Sequence, residues 1–213
     1  MATTIYSTND GRVINYETTS WTDTRDATSG NSSSTASNQT TGIQIYQAAG
    51  RGGTTYGISR AFFQFDTRSI THLPKSATLD IYGLTNNAAG VSTIVKGTQD
   101  SSLSINDFDA IEGWQTGGVD NRLNVTIYGN YSSWSTSGYN STSLVQIGLV
   151  DIAGLDTFKV CVLQNLNDLR AVTPSGTVSN SNGFFTSAKG GTTQDPKLVI
   201  TEQENSVFFG TNL

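Results

Sequence analysis

Cysteine, histidine and methionine each occur once in these 213 residues, and proline three times. A single thiol, Cys161, has no partner for an intrachain disulfide and belongs to no set of thiolates that would hold zinc. A single imidazole, His72, excludes the usual multi-histidine metal centres. It also has no serine or carboxylate at a spacing that reads as a catalytic arrangement. Charge is scarce too: 14% of residues are charged, with 12 basic against 17 acidic. The net charge of −5 leaves no footprint for nucleic acid. The longest apolar runs, such as 158–163, fall far short of the ~20 residues a membrane-spanning helix needs, so no membrane insertion is expected. The opening Met1-Ala-Thr-Thr-Ile-Tyr6 has neither the basic nor the apolar region of an export signal, which points to synthesis in a cytosol.

Small polar residues fill the space. There are 31 Thr, 25 Ser and 17 Asn, about a third of the chain, and 22 Gly. Ser, Asn and Gly favour turns and Thr favours strands, which argues against a helical bundle or a doubly wound α/β enzyme. Short β-branched and aromatic runs recur between turn-rich stretches. They predict strands near 43–46, 58–66, 77–84, 92–96, 124–128, 143–149, 158–164, 183–187 and 197–201. An opening hairpin over 3–16 turns at Asn9-Asp10-Gly11. The reading is all-β: an antiparallel β-sandwich, jelly-roll-like, with about ten strands and little helix. One domain over 1–201 is followed by a C-terminal arm, 202–213. Phe63, Phe65, Leu79, Ile81, Val160, Val162, Leu198 and Ile200 are expected to form the two inner faces, with Ile70 and Leu73 anchoring the loop 67–74. Residues 29–41 contain no large apolar side chain and read as an exposed or mobile loop that a short Gly-Ser link would replace.

Four aromatics, Tyr128, Tyr131, Trp134 and Tyr139, concentrate in a stretch rich in Ser, Gly and Asn. Rigid rings flanked by hydrogen-bonding residues have the composition of a glycan- or partner-binding loop. The alternative is that Trp134 anchors a long loop at the sandwich edge. The carboxylates of Asp100, Asp107, Asp109 and Glu112 read as a solvated acidic loop. Calcium is the one cofactor they leave open, although the central glycine of a calcium loop is missing. Gly50-Arg51-Gly52-Gly53 lacks the Gly-Lys-Ser/Thr ending of a phosphate loop and reads as an interstrand turn. Past the closing strand, Val207, Phe208, Phe209 and Leu213 are too apolar for a solvated tail and are expected to form an assembly arm that docks on a neighbouring subunit.

Three segments together resemble a known family. They are Ile58-Ser-Arg-Ala-Phe-Phe-Gln-Phe-Asp-Thr-Arg-Ser-Ile70, Lys75-Ser-Ala-Thr-Leu-Asp-Ile-Tyr82 and Gly190-Gly-Thr-Thr-Gln-Asp-Pro-Lys-Leu-Val-Ile-Thr201. Their order is similar to DNRLRE-type β-sandwich modules, and Asp10-Gly-Arg-Val13 and Trp21-Thr-Asp-Thr-Arg-Asp-Ala27 resemble a subgroup found in phage and bacterial sequences. The likeness runs from about Asp10 to Thr201. It implies a sandwich fold in surface-displayed or virion proteins, associated with adhesion and carbohydrate contact. With no recognisable nucleophile, base or metal constellation, a non-enzymatic role is expected. The leading reading is a bacteriophage structural protein, a capsid decoration or tail/fibre component. It would be homo-oligomeric, would contact other virion proteins, and would be located in the virion with weak adhesion to host glycans. The alternative is a carbohydrate-binding module of a cell-surface or secreted protein.

Overall fold

The computed structural model describes residues 2–17 and 20–203. In chain order the elements are β1 (Ala2–Glu17), α1 (Trp21–Arg25), β2 (Ser32–Ser34), β3 (Asn38–Gly50), β4 (Gly53–Asp66), β5 (Ser76–Asn87), β6 (Ser92–Lys96), β7 (Ile127–Tyr131), β8 (Tyr139–Ser143), α2 (Gln146–Gly154), β9 (Thr157–Gln164), β10 (Val178–Phe185) and β11 (Lys197–Thr201). The strands form an all-β antiparallel sandwich. The first sheet runs β1–β11–β5–β8, using only the N-terminal part of β1. The second holds the rest of β1 with β2 and β4, and along the other edge of β4 lie β3 and β9. β10 extends it from β3, and β6 and β7 extend it from β9.

The expected opening hairpin is absent: β1 is one continuous strand that changes sheets. Ala2–Tyr6 pair with β11, and after an irregularity between Ser7 and Asn9 the strand pairs with β4 as far as Glu17. Bulges commonly let a strand turn such a corner. The Asp-Gly pair has another use. A Cβ on Gly11 would collide with the carbonyl oxygen of Ser34 on β2. The Asp10 carboxylate turns inward and accepts hydrogen bonds from the Ser187 amide at 3.1 Å and its hydroxyl at 2.9 Å.

Burial pushes the Asp10 carboxyl up from 3.8 to about 6, against the Ser187 hydrogen bonds that pull it down. Because its folded pKa is raised, the folded state binds the proton more tightly between pH 4 and 6. Stability from this group is therefore greatest near pH 4 and is lost as pH rises through about 6. Asp10→Asn is expected to flatten that slope, removing on the order of 2–3 kcal/mol of pH dependence in urea titrations. Parallel wild-type and mutant profiles between pH 4 and 7 would refute the assignment.

All eight residues expected on the inner faces are fully buried in one cluster between the sheets, joined by Phe158 and Phe184. The second sheet is covered on its outer face as well. There Ile58, Phe62, Cys161 and Leu163 pack against Trp21 of α1, Phe108, Ile111, Val125 and Leu169. The segment 97–126 and a wide helical turn at Asn165–Leu169 supply this cover. Two guanidinium groups, of Arg25 and Arg60, are sealed beneath it. Arg60 on β4 is fully buried and bonds both carboxylate oxygens of Asp168, at 2.9 and 2.7 Å. It also donates to the Phe108 carbonyl at 2.8 Å and the Arg25 carbonyl at 2.9 Å. The Trp114 ring lies 4.3 Å from the Arg60 guanidinium and 4.4 Å from that of Arg25.

Several expectations need correction. Residues 29–41 are mostly exposed, as expected, but they are not an unanchored loop, because they contain β2 and the start of β3. The Asn31 side chain bonds both backbone groups of Tyr16, at 3.1 and 2.7 Å. Gln39 is fully buried, donating to the Ala36 carbonyl at 2.7 Å. Amide side chains do here what an apolar anchor does elsewhere. Residues 143–149 do not form a strand: past Leu144 the chain enters α2. Of the two anchors expected in the loop 67–74, Ile70 is buried but Leu73 is at the surface.

Candidate functional site

Three of the four aromatics proposed as a contact loop are interior. Tyr128, Tyr131 and Trp134 belong to the buried cluster between the sheets. The Tyr131 hydroxyl donates to the Leu79 carbonyl at 2.8 Å, and the Trp134 indole donates to the Gly183 carbonyl at 3.0 Å. Their rings meet edge to face at 5.5 Å. A glycan stacks on an accessible ring face, and these rings have none, so Trp134 is a loop anchor. Tyr139 is half-buried at the start of β8. Its hydroxyl donates to the Asp195 carbonyl at 3.0 Å, while the Lys197 ammonium sits 3.8 Å from its ring. Burial pushes its phenol up to about 12. Sequence reasoning missed that β8 follows directly on this loop, because Tyr139-Asn-Ser-Thr-Ser143 has no apolar alternation.

The acidic residues do not converge. Asp107 accepts from the Asp100 and Ser104 amides, both at 2.7 Å, and so caps its own helical turn. Glu112 faces Lys96 at 3.1 Å. Among the described residues no three His, Cys, Asp or Glu side chains come together as a metal site. Gly50 and Gly53 close the β3–β4 hairpin. His72 is exposed beside a cleft of about 310 Å³ lined by Ile70, Leu73, Glu202 and Gln203. Among the described residues no helix is long and apolar enough to cross a membrane.

The end of the sandwich that carries this cleft also carries α2, as the Thr67 hydroxyl bonding the Leu155 carbonyl shows. The helix buries Gly148, Leu149 and Ile152. Gly148 permits this approach, since a Cβ there would press on the Tyr128 ring at 3.2 Å. The Val145 amide donates to the Tyr128 carbonyl at 2.9 Å, and the Tyr128 hydroxyl donates to Asp151. Burial, with the Asp151 contact added, pushes the Tyr128 phenol far above its ordinary range. Lys96 reaches the same Asp151 carboxylate at 3.3 Å. These tethers turn a run that reads as a strand into a helix. On its outer side Ile147 and Val150 are about half exposed, and the residues that cap its two ends, Val145 and Leu155, are exposed as well. Scattered surface apolar residues are ordinary, and the helix with its two caps gathers four of them within eleven positions, which makes it a candidate contact surface.

Two connections bring the loop 67–75 and the β11 terminus to this end. The Thr67 hydroxyl donates to the Leu155 carbonyl at 2.6 Å, and the Lys75 amide donates to the Thr201 carbonyl at 2.8 Å. The predicted arm residues Val207, Phe208, Phe209 and Leu213 lie outside the described residues.

No family model matches the chain, and no curated protein is significantly similar to it. The likeness to DNRLRE-type modules rests on the sequence segments quoted above.

Proposed function

We propose that this protein is a non-enzymatic structural component of a bacteriophage particle, a capsid decoration or tail/fibre protein that works through the apolar end of its sandwich. The observation that carries this reading is α2 with its two caps, where Val145, Ile147, Val150 and Leu155 stay in solvent. Elsewhere the chain favours Ser, Thr and Asn, which suits the outside of a many-copy assembly. The resemblance to virion and surface modules points the same way. A glycan contact would have to rely on Tyr139, since the other three rings are interior, so assembly is the reading put forward here.

The test is a density-gradient fractionation of the particles from the source sample, followed by peptide mass spectrometry. Peptides of this chain are expected to peak with the capsid and tail proteins at particle density. Their recovery only in the soluble fraction would overturn the proposal.

A further inference from the structure

Tyr139 is the one ring of the four expected contact aromatics that reaches the surface, and other groups join it there. Among the described residues no layer covers the outer face of the first sheet, where Thr4, Tyr6, Ser141 and Ser143 are exposed. Register places the side chains on that face. Tyr6, Lys197, Asp80 and Ser141 stand opposite one another across β1, β11, β5 and β8, and Tyr82 and Tyr139 form the adjoining row. Their chain neighbours Ile5, Leu198, Leu79 and Ile81 pack into the core, so both rows lie on the open side. We propose that this face binds a neutral glycan, with Tyr6 as the ring on which a sugar lies and Asp80, Asp195 and Lys197 as the groups that hydrogen-bond its hydroxyls.

Two carboxylates on this side lack what buried polar groups need. Asp80 is 8% exposed and Asp195 6%, and among the described residues one buried oxygen of each has no hydrogen-bond partner. Such groups are rare, and each calls for something that satisfies it. Lys197 lies directly opposite Asp80, yet its ammonium sits 3.8 Å from the Tyr139 ring. Both carboxylates gather about one phenol. Burial first, then Tyr6, Asp195 and Asp80, push the Tyr139 hydroxyl up to about 12. That hydroxyl is already committed to the backbone, donating to the Asp195 carbonyl at 3.0 Å, so it leaves the two carboxylates unmet.

Charge selects the class of ligand. Two carboxylates repel an anion, and the ammonium beside them repels a metal ion. A neutral polyol suits both, since its hydroxyls donate to the carboxylates and accept from the ammonium. Tyr6 is 37% exposed, so it offers the accessible ring that Tyr128, Tyr131 and Trp134 lack. Tyr82 is held edge to face by Tyr139 at 5.2 Å and Phe185 at 5.8 Å, which fixes the platform before a ligand arrives. From Tyr139 a cleft of about 250 Å³ continues past Ser132, Ser133, Ser135 and Ser141, where further sugar hydroxyls find polar partners.

The test is an array of bacterial, plant and animal oligosaccharides probed with the full chain. Binding of neutral glycans is expected, and Tyr6→Ala or Asp80→Asn should weaken it roughly tenfold or more. Melting temperature separates a ligand site from a structural one. A buried carboxylate with no partner costs stability, so Asp80→Asn should hold or raise the melting temperature while binding falls. A structural ion pair between Asp80 and Lys197 predicts the opposite, a lower melting temperature. The proposal is overturned by a destabilised Asp80→Asn variant or by binding that survives both substitutions. It is equally overturned by an array without signal above background, the result expected if a protein covers this face. The site and the particle role fail separately. A chain that sediments with particles but binds no glycan loses the site and keeps the role, and a glycan-binding chain never found in particles does the reverse.

Discussion

Asp168→Ala is expected to cost about 3–5 kcal/mol, at the upper end for a single substitution. The reason is the charge left behind. Arg60 has no exposed surface, and Asp168 holds it through two parallel hydrogen bonds at 2.9 and 2.7 Å. Burial works against the guanidinium charge, and the carboxylate outweighs it, so the Arg60 pKa stays above its ordinary value. Removing the carboxylate strands a cation beneath Phe108 and Trp114, whose rings offset only part of the loss. The Phe108 and Arg25 carbonyls would still accept from Arg60, which keeps the loss finite. Replacing both partners with apolar residues, Arg60→Met with Asp168→Leu, should recover much of the stability, because neither leaves an unmet charge. Urea unfolding of the two single variants and the double variant gives the coupling directly. A loss below about 1 kcal/mol for Asp168→Ala would show that the site admits water or relaxes.

That network also marks the limit of what could be read from the sequence. The inner faces were legible because Phe63 and Phe65, Leu79 and Ile81, and Val160 and Val162 alternate with period two, and all six lie between the sheets. β6 and β11 fall where expected, since short apolar runs bounded by turn residues admit little else. Arg60 and Asp168 lie 108 positions apart, and no local pattern links an arginine in a strand to an aspartate in a polar turn. The same holds for α2. Val145 and Ile147 are β-branched and favour strands, but contacts of the helix with Tyr128 and Lys96 override that preference. The aromatic stretch misled for a different reason. Tyr and Trp beside Ser and Asn suit a wet contact loop, and they equally suit an anchor whose hydroxyl or indole finds a buried carbonyl. Only the fold supplies the carbonyls of Leu79 and Gly183.

Phe62→Ala and Phe65→Ala should prove about equally damaging, near 3–5 kcal/mol each, and the comparison tests the architecture more sharply than either alone. Phe65 points between the sheets with Phe63, while Phe62 points to the opposite side of β4. A sandwich whose outer faces met water would leave Phe62 in solvent and make its truncation nearly silent. Here both rings are essentially fully buried, Phe65 at 0% and Phe62 at 1% exposure. Phe62 lies against the layer built from 97–126, α1 and the turn at 165–169, so its removal opens a cavity as large as that of Phe65. For a chain of this length each kcal/mol corresponds to roughly 2–4 °C, which places both variants about 6–20 °C below the parent in melting temperature. The pair should also separate in what fails first. Phe62→Ala loosens the cover that contains Trp114 and should redden tryptophan fluorescence before global unfolding, whereas Phe65→Ala weakens the inter-sheet core itself. A Phe62 variant that melts with the parent would mean that the cover stands off the second sheet, and Arg60 and Asp168 would then have to be wet as well.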